Sequence, residues 1–471
     1  MKRNFAIRMM LIISLVIPAL SLAANASSSI WLSREVAIQL NAGNNAKITS
    51  VSCATAHFCV AGGYFELNNT FPEAFVSTYN GMGWHDQEIT GSLNVGGYGG
   101  GYAVSASVNS VKCLTTTFCV AGGTFVNPGG GQAFVSEYNG KVWTDYELAR
   151  LFNPGGNASV TSLDCSSPTS CVAGGYYEDN HQSRQAFVSK WDGAKWTDHE
   201  IASSLNLDLH GVAEVTTVNC DSTVFCVVGG FYTDALGEQQ ALVSIFNGKT
   251  WSDQTVGGLL NVGNYAEINS VDCASKIFCV AGGQYADANG AQQAFISKFN
   301  GKNWADHQIA SLLNSNRASA NSVSCATPSF CVVVGFYSDV GQHFSEVGPL
   351  RQDAFASVFN GSRWIDQELL GQLNLGGAAR VSSVVCKSQL FCAMSGSFLD
   401  GAGTGHAIIS FYNGRTWKSS NVADSFANTY WSNASSVSCV SNLFCASGGY
   451  YLPQGVIGYQ AQAFVTSNSN F

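Results

Sequence analysis

Short runs of alternating apolar and polar residues fill the chain from residue 30 onward, and they recur in one fixed order. A first run ends in Ser-Val-x-Cys, as at 50–53 and 270–273, and a second reads Phe-Cys-Val-Ala-Gly-Gly, as at 58–63 and 278–283. A third reads Ala-Phe-Val-Ser-x-Tyr-Asn-Gly, as at 74–81 and 133–140, and a fourth opens with Trp and alternates, as at 84–89 and 143–148. Such runs, β-branched and aromatic and bounded by turn residues, predict strands. Asn-Gly joins the third to the fourth at Asn80-Gly81, Asn139-Gly140, Asn247-Gly248, Asn300-Gly301, Asn360-Gly361 and Asn413-Gly414, with Asp192-Gly193 in one copy. That dipeptide predicts a tight primed turn with positive φ at both central residues. The segment between the cysteines predicts a second hairpin with a five-residue turn.

The first cysteines of successive units lie 60, 52, 55, 53, 52, 61 and 53 residues apart. Four antiparallel strands repeated at this period predict an all-β fold, an eight-bladed β-propeller of four-stranded blades. The eighth unit stops after its third strand, whereas Trp31 precedes Trp84 by the usual 53 residues. Residues 30–37 are therefore expected to join the last blade and close the ring, leaving no long free sheet edge. One propeller domain is expected over 27–471.

All 16 cysteines form eight Cys-x5-Cys pairs: Cys53/Cys59, Cys113/Cys119, Cys165/Cys171, Cys220/Cys226, Cys273/Cys279, Cys325/Cys331, Cys386/Cys392 and Cys439/Cys445. Zinc clips prefer closer spacings with further ligands nearby, so disulfides are expected, and no metal. Lys2, Arg3 and Arg8, an apolar stretch over 9–20 and small residues around Ala23 and Ala26 read as a signal peptide over 1–26, cut after either alanine. Losing its three basic residues takes the net charge from −9 to −12. The expected mature protein is acidic, secreted or periplasmic, monomeric and without a membrane span. The charge balance speaks against nucleic acid as a partner. The apolar fraction of 46% excludes a disordered chain.

Diglycine closing the second strand, followed by an aromatic-Asn-Gly hairpin and Trp, resembles kelch-type repeats. It is similar, too, to cysteine-paired repeats of secreted bacterial propellers. The resemblance covers residues 30–471, with Val334-Gly335 and Ser395-Gly396 replacing diglycine in two units and Trp417-Lys-Ser standing in place of Trp-x-Asp in the seventh blade. It implies the fold and leaves function open between binding and a few enzymes.

Strand parity puts the loops between second and third strands, and the crossings between blades, on one face. Length variation concentrates there, at 96–104, 336–352 and 450–460, so function is expected there. An aromatic residue recurs on that face two places after the diglycine: Phe65, Phe125, Tyr177, Tyr232, Tyr285, Tyr337, Phe398 and Tyr451. Five of them continue to a carboxylate, at Asp179, Asp234, Asp287, Asp339 and Asp400. Aromatics beside carboxylates suit a sugar-binding ring; the same pattern also fits rings packed between blades and aspartates capping turns. No cofactor is expected, although calcium at the Asp-rich loops is a further reading, short of ligand positions. A recurring Leu-Asn in the crossings (Asn41, Asn94, Asn206, Asn261, Asn314 and Asn374, with Phe152-Asn153 in one copy) and the Asp of Trp-x-Asp (Asp86, Asp145, Asp198, Asp253, Asp306 and Asp366) read as scaffold.

With no unique catalytic set in view, the expectation is a non-enzymatic recognition scaffold for a protein or glycan. The alternative is a glycosidase or lyase at the central mouth. Its unique candidate residues are His343, Glu346, Arg351 and Asp353.

Overall fold

The computed structural model describes residues 31–67, 71–94, 105–208, 210–311, 313, 317–338, 351–371, 373–426, 429–455 and 460–468. The expected signal at 1–26 lies outside them. Among the described residues there are strands and no helices. The strands form eight antiparallel blades of four; two of these, spanning 266–308 and 317–369, are joined into one sheet by a single parallel bridge from Gln292 to Arg317. The first blade comprises Ala46–Thr55, Phe58–Leu67, Phe71–Tyr79 and Trp84–Glu88. The last has Thr429–Cys439, Cys445–Pro453 and Gln462–Ser467, and its outer strand is Leu32–Glu35. There Leu32 faces Ser467 and Glu35 faces Phe464. Trp31 stacks on Phe411 of the preceding blade, 5.7 Å between centroids.

A belt of hydrogen bonds around the axis shows that the ring closes. In every blade the residue three places before the first cysteine is Ser or Thr, and its hydroxyl accepts a backbone N–H of the next blade. Ser50 takes Val111, Ser110 takes Leu163, Ser162 takes Val218 and Thr217 takes Val271. Ser270 takes Val323, Ser322 takes Val384, Ser383 takes Val437, and Ser436 returns to Val51 of the first blade. The amide beside the bulge in each first strand is thereby satisfied, as the low-dielectric interior requires.

Between blades the core is apolar. Val60, Val76 and Ile89 of the first blade, for example, pack with Val108, Val111 and Phe134 of the second. Within each blade, the second glycine of each pair permits the close approach of the first and second strands. A Cβ there would fall 1.8–2.1 Å from the carbonyl oxygen of the adjoining first strand in all eight blades. That glycine is retained even where the first is replaced by Val334 or Ser395. The Trp-x-Asp carboxylates also serve the frame. Asp86, Asp145, Asp198 and Asp253 accept the backbone N–H of Ala37, Thr90, Ala149 and Ala202 in the preceding blade, each of which has positive φ.

Both hairpins differ from expectation. The Asn-Gly connection is a four-residue loop: Tyr79 pairs with Trp84, only Gly81 has positive φ, and Asn80 Oδ1 accepts the N–H of Met82 and Gly83. The carboxamide replaces the second left-handed residue that a primed turn needs. Between the cysteines, the strands run past the disulfide to the pair Thr55–Phe58, shortening the turn to two residues. Only the last blade keeps the longer loop, its strands ending at Cys439 and resuming at Cys445.

All eight expected disulfides are formed: Cys53–Cys59, Cys113–Cys119, Cys165–Cys171, Cys220–Cys226, Cys273–Cys279, Cys325–Cys331, Cys386–Cys392 and Cys439–Cys445. Among the described residues no cysteine is free. Each bridge joins directly opposed residues of the first and second strands, so it staples one hairpin rather than two blades.

Candidate functional site

The first strand of each blade lines the axis, and its residues form tiers from the loop face downward. Nearest the loop face is the position six residues before the first cysteine: Lys47, Ser107, Ser159, Glu214, Glu267, Ser319, Arg380 and Asn433. Next come side chains that donate to the next blade's carbonyls, including Asn109 to Val160, Asn269 to Ala320 and Asn321 to Val381. The Ser/Thr belt follows. Below it, Lys112 pairs with Asp164 at 2.7 Å, and Asn219 donates to Asp272, whose carboxyl burial pushes up to about 6. The middle tiers are tied to backbone; the top tier differs from blade to blade, and apart from the buried Ser159 and Ser319 its side chains are half-buried or exposed.

The top tier forms a mouth with an uneven charge. On one side Arg184 lies over the Tyr176 ring at 3.9 Å and pairs with Glu214 at 2.9 Å. Burial raises the pKa of Glu214 against the pull of Arg184, and the charge of Glu267 adds to the rise. Burial likewise raises Glu267, although Tyr265 Oη donates to its Oε2 (3.1 Å) and Gln284 Nε2 to its Oε1 (2.7 Å). Across from it, the Arg317 and Arg380 guanidiniums lie 5.4 and 5.9 Å from the centroid of one ring, Phe336. A depression of about 490 Å³ opens between them, lined also by Gln292, Ser319, Gln352 and Ser382. Lys47 covers the Tyr450 ring at 4.5 Å on the far rim.

The residues singled out by sequence fall elsewhere. Phe65, Phe125, Tyr177, Tyr232, Tyr285, Tyr337, Phe398 and Tyr451 are 1–7% exposed and sit in the layers between blades. Phe65 meets Phe75 edge-on, Tyr232 Oη bonds Thr255 and Tyr451 Oη donates to Glu35. Rings so covered offer no face to a sugar. The second cysteine of every pair lies in the same layers: Cys59, Cys119, Cys171, Cys226, Cys279, Cys331, Cys392 and Cys445 are all fully buried among valines and alanines. These sulfurs are core, out of reach of any ligand, and belong to the frame rather than to a site. Their burial follows from the strand: each second cysteine precedes the apolar run that packs between blades, and the bridge carries no charge to be solvated.

Asp179, Asp234, Asp287 and Asp400 each accept two backbone N–H groups across their loop. Burial opposes but does not outweigh these bonds at the first three, and all four carboxyls lie below the usual range. Among the described residues no three His, Cys, Asp or Glu side chains form a metal-binding group. Asp339, His343, Glu346 and Asn314 lie outside the described residues. Arg351 and Asp353 form an ion pair (2.8 Å), but Asp353 is 2% exposed and also accepts from Asn374 at 2.7 Å.

That last contact belongs to a repeated brace. The crossing Asn bonds the residue before Ala in the third strand: Asn41 to Gln462, Asn94 to Glu73, Asn153 to Gln132, Asn206 to Gln185 and Asn261 to Gln240. In the seventh blade His406 holds that place and instead bonds Asp400 and Asp424, at 3.1 and 3.2 Å. The expected sites are thus mostly frame, and sequence reasoning missed the mouth. Its signal is a fixed position at which the residue changes in a chain of repeats.

No family model matches the chain, and no curated protein matches it significantly. Solved structures do. Chaetomium thermophilum Sqt1, bound to the N-terminus of the ribosomal protein L10, superposes with a TM-score of 0.51 at 11% identity, covering 89% of this chain and 96% of that one. The GH74 xyloglucanase of Xanthomonas campestris gives 0.47 at 12% identity over 92% of this chain and 67% of that one. A PL25 ulvan lyase gives 0.42 at 9% identity, over 79% and 93%. At these identities the likeness is one of fold.

Proposed function

We propose that the chain is an exported, non-enzymatic recognition propeller that holds a protein or glycan ligand in the mouth of its axial funnel. The observation that carries this reading is the contrast between two positions on the same strands. Three residues before the cysteine stands Ser or Thr in all eight blades; six residues before it stand Lys, Ser, Ser, Glu, Glu, Ser, Arg and Asn. A residue repeated in every blade serves the ring, and one that changes is released from that duty. Eight disulfides suit an oxidising compartment, in keeping with the expected signal peptide. The protein acts as a monomer and needs no cofactor. The test is a glycan array and pull-down with the mature protein, repeated with Ser382→Trp, a half-buried residue of the depression, to fill the mouth. A ligand lost with that variant supports the reading; a ligand retained contradicts it.

One observation favours a second reading, a carbohydrate-active enzyme. Glu214 and Glu267 occupy the same tier of adjacent blades, and burial raises both, the tuning a general acid needs. Release of new sugar ends by the wild type and its loss in Glu267→Gln is the result that would select it.

A further inference from the structure

The lining of the mouth also narrows the class of ligand. Two guanidiniums converge on a single ring, and no described carboxylate forms an ion pair with either. Among the described residues, Arg317 Nε donates to the side-chain oxygen of Gln292, at 3.0 Å. Glu267 lines the same depression, but its oxygens accept from Tyr265 and Gln284 and it forms an ion pair with neither arginine. Two cations gathered around one ring repel each other. An oxyanion placed between them would relieve that repulsion and receive forked N–H donors of matching geometry.

The rest of the lining decides what carries the anion. Phe336 is only 6% exposed beneath the arginines, so the recess has no open apolar pocket of the kind that anchors a peptide side chain. Amides and hydroxyls such as Gln292 and Ser382 surround the arginines instead, and these match the hydroxyls of a sugar ring.

We propose that the mouth between the fifth, sixth and seventh blades binds an acidic sugar residue, with Arg317 and Arg380 clamping its carboxylate or sulfate ester. This rests on the mouth being the ligand site. The test is calorimetry with the mature protein and four probes: oligogalacturonate, a sulfated galactan, a neutral galactan and poly-L-glutamate. One or both acidic glycans should bind, more weakly as salt rises, and which one binds identifies the anion. Arg380→Gln and Arg317→Gln should each lose about tenfold or more in affinity, while Arg363→Gln on the opposite hairpin face changes nothing. Equal binding of the neutral galactan, unchanged affinity in the arginine variants, or no binding of any glycan overturns the proposal. Arginine-dependent binding of poly-L-glutamate alone replaces it with an acidic peptide. A neutral ligand lost with Ser382→Trp but indifferent to both arginine variants would leave the mouth as the site and remove only the acidic assignment.

Discussion

Two rings of side chains line the axis three residues apart on the same eight strands, yet they obey different rules. In the belt, each hydroxyl accepts a backbone N–H of the neighbouring blade at 3.0–3.5 Å, and only Ser or Thr occupies the position. In the mouth, the same strands carry both signs of charge, amides and hydroxyls, and Arg380 stands exposed. The belt sits where a bulge frees an amide that must be paired, so one chemistry fits every blade. The mouth sits where the strand has just left its crossing and the backbone asks nothing of the side chain. Repetition marks what the ring needs, and its loss marks what the ring can spare.

This contrast breaks most visibly at the glycine beneath the mouth. Gly175→Ala would set a Cβ against the Ser159 carbonyl, 1.9 Å away. We expect a loss of about 3 kcal/mol or more, seen as a lower denaturant midpoint or failure to fold. Removing one clasp, as Cys165→Ala with Cys171→Ala, opens a seven-residue loop and should cost about 2.4 kcal/mol, read by the same unfolding curve. In the belt, Ser162→Ala leaves the Val218 N–H unpaired and should cost about 1–3 kcal/mol, with ligand binding unchanged. In the mouth, Arg380→Gln should leave stability within about 0.5 kcal/mol while binding falls.

The smallest effect sharpens the comparison at an exception. His406 stands where the other blades place Gln, Glu or Asp in the brace. Burial pulls its pKa down, but hydrogen bonds and charge from Asp400 and Asp424 outweigh it and hold the ring above the ordinary imidazole value. Folding therefore favours the protonated ring. The stabilisation is complete below about pH 6.5 and fades as pH rises through the higher folded value. His406→Gln should flatten stability over that interval, measured by denaturant titration across pH 5.5–8.

Most of the architecture was legible because it is written eight times. Periodic cysteines, diglycines and tryptophans set the blade number, and the displaced Trp31 marked the closing strand. The turns were less legible. Two further residues after Asn80-Gly81 let a side chain cap the loop, and the strand pattern continues unbroken through Cys53 and Cys59, hiding where the hairpin bends. The mouth escaped for the opposite reason. Glu267, Arg317 and Arg380 share no motif, and their meeting depends on which strand lies innermost, which spacing alone does not reveal. The recurring aromatics drew attention through repetition, the very property that ties Phe65 or Tyr451 to the interblade layers.

The most direct test takes one residue that lines the mouth and one of the belt from a single strand, Arg317–Thr327. Thermal unfolding and calorimetry with the acidic glycan that binds are measured together for Arg317→Gln and Ser322→Ala. The account predicts that the first loses affinity at unchanged melting temperature and the second loses several degrees at unchanged affinity. If Arg317→Gln lowers the melting point without touching affinity, or Ser322→Ala removes binding from a fully stable ring, the division between frame and mouth is contradicted.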